Sequence, residues 1–193
     1  MSWKGPRQVR VHQSELPIGE VERYDDLPVT CALRTAWDVA VLEPLGTAVA
    51  AIDAMVRAGA VSQAQLVELN AVSAGRWGAV TARRVLPLVD PRAESAPESR
   101  VRVALAVAGL APVPQHEVWS DGRFLGRVDL AFPAARLAIE HEGAHHFDGL
   151  QIVRDDERIA GLTAAGWRVT RVHAPDLRRL DDVVARVRAA LAG

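Results

Sequence analysis

Two short apolar runs, VDLAF at residues 128–132 and LAI at residues 137–139, flank Pro133, Ala134 and Ala135, and acids are set into both of them. Asp129 lies inside the first run, and Glu140 and Glu142 close the second. Such a pair of runs around a short turn reads as a β-hairpin. With the loop centred between Ala134 and Ala135, residues whose numbers sum to 269 face each other, so Asp129 stands opposite Glu140 and Ala131 opposite Ala138. Strand alternation then puts Asp129, Ala138, Glu140 and Glu142 on one face and Val128, Leu130, Leu137 and Ile139 on the other. Like charges directly opposite across a strand pair repel. A divalent cation held by carboxylate oxygens would offset that repulsion; the alternative is a pair of strand-edge acids facing solvent.

The rest of the chain narrows the classes available. Its 193 residues suffice for one large or two small domains, and 49% apolar with 24% charged residues is ordinary for a soluble globular protein. No apolar stretch has the length of a membrane span, and the opening MSWKGPRQVR has no signal-peptide pattern, so secretion is not indicated. The single cysteine, Cys31, cannot form an internal disulfide, in keeping with a cytoplasmic location. A net charge of −1 supplies no global field toward nucleic acid, so DNA would have to be met by a local patch. Lys4 is the sole lysine and every other basic residue is arginine. Arginine suits two-pronged phosphate contacts, although codon bias produces the same preference. Any mechanism that needs a lysine beside metal-binding acids has no candidate except Lys4 and must be modified.

Along the chain, residues 30 to about 88 are helical in pattern, with apolar residues at three- and four-residue spacings in ALRTAWDVAVL, TAVAAIDAMVRAGA and QAQLVELNAV. Residues 89–97, VDPRAESAP, read as a linker. This divides the chain into a mainly helical N-terminal region, 1–90, and a C-terminal domain, 91–193. The second part reads as a helix, three strands, a helix, a strand and a last helix, with Asp121 and Gly122 turning between the first two strands. That order is α/β: a mixed sheet flanked by helices. The segment before Cys31 lacks an apolar period and reads as an arm or as the remainder of another domain.

The acids in this element order resemble the core of the PD-(D/E)xK, restriction-endonuclease-like nucleases. More closely, residues 98–176 are similar to very-short-patch-repair-type domains of unknown function found at the C-terminus of bacterial proteins. The resemblance is carried by ESRVR, RVDLAFP, AIEHEGAHH, RDDER and AGWRVTRV. LPVTCALRTAWDVA resembles the middle of relatives in which this domain follows an antitoxin-like region, often after a winged helix-turn-helix. The resemblance implies that Asp129 and Glu140 bind Mg²⁺ (or Mn²⁺), with Glu98 as the acid on the preceding helix, and that the substrate is DNA. The family lysine would fall two residues after Glu140, where this chain has Glu142. That departure leaves two outcomes open: an active site whose proton chemistry comes from a histidine or a metal-bound water, and a domain that kept its fold and lost its reaction.

Each candidate has a plainer rival. Glu98 completes a Ser95-x-x-Glu98 capping box at a helix start. Glu142 shares the acid face and could extend the site or accept a proton. Arg154 and Arg158, four apart on one helix, could grip a phosphate or form surface ion pairs with interleaved acids. His145 and His146 could act as acid or base near neutral pH, or be solvated loop residues. His141, Glu142 and His145 also spell H-E-x-x-H, a zinc-peptidase motif that works only on a helix. Two further expectations complete the reading: the helical region contacts a protein partner, and a silent DNA- or protein-binding module of a toxin-antitoxin or defence system stands as the alternative to a nuclease.

Overall fold

The structure is a computed structural model that describes residues 11–142 and 149–193, with side chains from residue 156 onward in the second stretch. Four helices, α1 (Ala32–Leu42), α2 (Leu45–Arg57), α3 (Gln63–Val72) and α4 (Ala79–Val85), make the N-terminal part. Their apolar stripes meet in a core built on Trp37, Val49, Ile52, Val61 and Val85. Gly78 ends the turn before α4 at φ +81°, and a side chain there would run into Val41, so both conformation and space require glycine. A hairpin precedes them, β1 (Val21–Tyr24) paired with β2 (Leu27–Thr30). It was not expected from the sequence, because nearly all of its side chains are exposed and leave no apolar period to read.

The second part begins with α5 (Ala96–Val107) and continues through β3 (Val113–Ser120), β4 (Arg123–Phe132), β5 (Leu137–Glu142), α6 (Gly149–Ala164), β6 (Arg168–His173) and α7 (Leu180–Ala192). The sheet runs β3-β4-β5-β6, antiparallel up to β5 and parallel between β5 and β6. A parallel neighbour needs a crossover, and α6 provides it. Helices α5 and α7 cover one face through Val101, Leu105, Val183 and Val187 against Leu130, Leu137, Ile139 and Val172. The other face packs Leu162 and Trp167 against Val118, Val128, Ala131 and Ala138. The chain is therefore a helical region followed by a mixed sheet flanked by helices, a topology that matches the restriction-endonuclease-like arrangement.

The anticipated hairpin register is present: Leu130 pairs with Ile139, Ala131 with Ala138 and Phe132 with Leu137. The turn is a short 3-10 segment, Pro133–Ala135, closed by Arg136 in the left-handed region at φ +46°. Asp121 and Gly122 also both have positive φ, as a two-residue hairpin turn requires. One face assignment needs correction. Val128 packs with Ala131 and Ala138, not with Leu130 and Ile139, so alternation breaks at Asp129. The β3 ladder skips the same place, where Gln115 has φ +50° and pairs with nothing across from it while His116 pairs with Val128 and Pro114 with Leu130.

The helix α5 joins the two parts. Val101 and Leu105 face the sheet, whereas Val103 enters the helical core. Ser99 and Arg102 reach Asp53 of α2, which is fully buried. Asp53 accepts hydrogen bonds from Ser99 Oγ at 2.7 Å, Arg102 Nη2 at 2.8 Å and the Asp90 backbone N–H at 2.7 Å. The stretch between α4 and α5 is thereby pinned rather than loose: Asp90 is tied to α2, and Arg57 donates to the buried Ala93 carbonyl.

Candidate functional site

Three acids from three elements approach the break at Asp129. Glu98 comes from the first turn of α5, Asp129 from β4 and Glu140 from β5. A void of about 10 Å³, room for roughly one water, lies under α5, lined by Glu98, Val101, Asp129, Leu130, Ile139, His141 and Val172. The Asp129 carboxylate does not stand in a ladder pair with Glu140, because the pairs end at Leu130 and Ile139. It accepts a hydrogen bond from the His141 backbone N–H at 2.8 Å instead. Burial pushes the Asp129 carboxyl up to about 6; the His141 N–H opposes this, and the charges of Glu98 and Glu140 add to it.

Glu98 lies in the capped first turn of α5. Ser95 Oγ accepts from the Glu98 N–H at 3.3 Å, as an N-cap should. The Glu98 carboxylate does not complete the box on the Ser95 N–H. It accepts from the Glu94 N–H at 2.9 Å, from Ser95 Oγ at 2.7 Å and from Gln115 Nε2 at 2.8 Å. The residue that breaks the β3 ladder thus reaches the helix acid, a link no sequence spacing disclosed.

Glu140 is buried and meets Arg158 of α6 in a two-pronged ion pair, with Arg158 Nη2 at 2.9 Å from Oε2 and Nη1 on Oε1. Glu142 pairs instead with β6, at 2.5 Å from Arg171 and 3.1 Å from His173 Nδ1. His173 receives this partner from the neighbouring strand, where the parallel register sets Glu142 beside it. His116 stacks at 5.7 Å on Trp167, a packing role.

The zinc-peptidase reading does not hold. His141 and Glu142 lie on the strand β5, where successive side chains point to opposite faces, whereas that motif needs helical spacing. His145, His146 and the side chain of Arg154 lie outside the described residues.

Among the described residues, no group of three or more histidine, cysteine, aspartate or glutamate side chains is gathered closely enough to hold a metal ion as they stand. The donors are carboxylates, the type a hard divalent cation takes, and the charges of Glu98 and Glu140 add to the burial that raises the proton affinity of Asp129. Glu140 and Glu98 currently spend their oxygens on Arg158, Ser95, Gln115 and a backbone N–H.

No family model matches the chain, and no solved structure matches it. Two curated relatives do: uncharacterized protein Rv2248 of Mycobacterium tuberculosis (strain ATCC 25618 / H37Rv) and uncharacterized protein MT2308 of Mycobacterium tuberculosis (strain CDC 1551 / Oshkosh). Each is 35% identical over 162 residues, which take in 82% of this chain and 59% of the relative. The chain therefore spans about three-fifths of the length of the relatives it matches. Their names state no activity, so the chemistry of the acid site rests on its own residues and on a sheet topology shared with restriction-endonuclease-like proteins.

Proposed function

We propose that residues 91–193 form a metal-dependent nuclease domain acting on DNA in the cytoplasm, with residues 1–90 as a helical region that positions it or contacts a protein partner. The observation that carries this reading is the approach of Glu98 and Glu140 to Asp129, at a break in strand alternation, on a mixed sheet of nuclease-like topology. Glu98, Asp129 and Glu140 would hold Mg²⁺ or Mn²⁺. When bound, the cation would supply charge neutralisation at a phosphodiester and an acidified water.

The residues of the chain divide the remaining work. Asp129 is oriented by the His141 N–H and keeps its proton more tightly than an ordinary aspartate, so it delivers its full charge only above about pH 6. Gln115 and Ser95 fix the Glu98 carboxylate. Arg158 and Arg154 would grip the substrate phosphate, and Glu142, His145 or His146 would take part in proton transfer. No helix of the described residues is long and apolar enough to cross a membrane.

A second reading is favoured by one observation. Glu142 stands where the related nucleases carry lysine, and it is occupied by Arg171 and His173. On that ground the domain would be a catalytically silent DNA- or protein-binding module of a toxin-antitoxin or defence system. Supercoiled plasmid and labelled single- and double-stranded DNA, incubated with Mg²⁺ or Mn²⁺, separate the two. Cleavage by the wild type that disappears in Asp129→Asn supports the nuclease; DNA binding without product and without metal supports the silent module.

A further inference from the structure

Away from the acid site, the helical region holds a cleft of about 300 Å³ between α3 and the 3-10 turn Leu86–Leu88 that follows α4. Gln63, Leu66, Val67 and Asn70 line it from α3, and Leu86 and Pro87 from the turn. Leu66 and Leu86 are buried and form its floor, whereas Val67 and Pro87 stand exposed at its lip. Val67 is 70% exposed on a helix whose inward face is already supplied by Leu66 and Leu69. An exposed apolar side chain beside an apolar cleft with polar residues at its rim marks an interaction surface. The polar part of the cleft is incomplete: Asn70 Oδ1 is buried and accepts no hydrogen bond. Buried polar atoms are as a rule paired, and turning the amide over would only bury its donor in place of its acceptor. The missing partner is therefore a group that offers both a donor and an acceptor, as a peptide unit does.

Spacing and charge identify the occupant further. Gln63 and Asn70 are seven residues apart on α3, which is two turns or about 10.5 Å along the axis. Three residues of extended chain cover about the same 10 Å, so a strand laid along α3 meets both amides with its main chain and sets a side chain between them, over Leu66 and Val67. Arg83, one turn before Pro87, and Arg84 lie exposed in the last turn of α4 and carry no ion pair among the described residues. The turn side of the cleft is thus cationic, while α3 carries the single acid Glu68. Resting on the partner-contact role given above to residues 1–90, we propose that this cleft docks an extended segment of a partner protein. The segment gives a leucine-sized side chain to the floor, a main-chain amide to Asn70 and an acidic residue to Arg83 and Arg84. The carboxylate supplies the counter-charge that the turn side lacks, and the main-chain amide completes the buried Asn70.

The test is fluorescence anisotropy of the full chain with short, capped, fluorescein-labelled peptides that carry leucine or alanine at the centre of a serine-glycine background and aspartates or lysines at both ends. The leucine-centred, aspartate-ended peptide should bind most tightly. Asn70→Ala should weaken it about tenfold, as for one buried hydrogen bond lost. Val67→Glu, at an exposed position that folding does not need, should weaken it further. Arg83→Glu together with Arg84→Glu should turn the preference toward the lysine-ended peptide. Equal binding of aspartate- and lysine-ended peptides, binding unchanged in Asn70→Ala and Val67→Glu, or no binding of any peptide overturns the proposal. Amide NMR shifts of the wild-type chain separate two failures. Shifts elsewhere in residues 1–90 overturn the cleft and leave the partner-contact role standing, whereas shifts confined to residues 91–193 overturn both. Self-association in sedimentation equilibrium that Val67→Glu abolishes would assign the cleft to a second copy of the chain and overturn the peptide.

Discussion

Asp53 and Asp129 are both inward-facing aspartates whose proton affinity is raised above the ordinary value by burial, and they differ in the groups that surround them. Asp53 receives a hydroxyl, a backbone N–H and a guanidinium, each within 2.8 Å, and locks α2 to α5. Asp129 is oriented by the His141 N–H and faces two further carboxylates, whose charges reinforce the effect of burial. The first acid is compensated, as a structural polar group in a core must be. The second is placed near its own kind on an interior strand of the sheet. The difference teaches what sets two inward-facing acids apart: the charges around each of them, and not the desolvation that raises both.

The largest effect should come from breaking the compensated member. Asp53→Ala leaves Arg102 as a buried cation without its partner and frees Ser99 and the Asp90 N–H, so stability should fall by about 3–5 kcal/mol. Urea denaturation checks this, with near-normal stability contradicting it.

Asp129→Asn should go the other way. The folded-state value of about 6 lies above the ordinary 3.8, so this group favours folding fully below about pH 3.8 and loses that contribution as pH rises through 6. The asparagine, free of this loss and still able to accept from the His141 N–H, should gain up to about 2–3 kcal/mol over wild type above pH 7, and little at pH 4. Denaturation curves across pH 4–8 read the crossover, and a loss of stability at pH 8 would refute it.

A smaller change sharpens the same contrast. Glu98→Gln keeps a carbonyl acceptor for the α5 cap but removes one like charge, so the Asp129 carboxyl should titrate lower by about half a unit to one unit. Carbon-detected NMR titration measures that shift, and an unmoved Asp129 would mean that burial alone raises it. The smallest effect is expected at the rim. Glu142→Gln touches an ion pair with both partners about two-fifths exposed, and should change stability by less than about 1 kcal/mol in the same denaturation assay.

Much of this architecture was legible in the residues because it is local. The proline-alanine-alanine turn fixed the register of β4 against β5, Asp-Gly marked the β3–β4 turn, and the apolar spacings marked α1 and α3 at their observed bounds. The break at Asp129 was not legible, since regular alternation is the default and its interruption depends on Gln115, which is supplied by another strand. The same is true of the Asp53 network, whose partners lie 37, 46 and 49 residues away. Arg158 was read as a phosphate ligand from its helical spacing with Arg154. Its closure on Glu140 follows from the crossover of α6 over β4 and from the space left at Gly126, neither of which is written in a one-dimensional pattern.

The most direct measurement takes Asp129→Asn and wild type at pH 8 and reads each preparation twice, for denaturation midpoint and for Mg²⁺- or Mn²⁺-dependent cleavage of supercoiled plasmid. A metal-dependent nuclease site centred on Asp129 predicts a variant more stable than wild type and devoid of cleavage. Undiminished metal-dependent cleavage in a folded Asp129→Asn protein would contradict it.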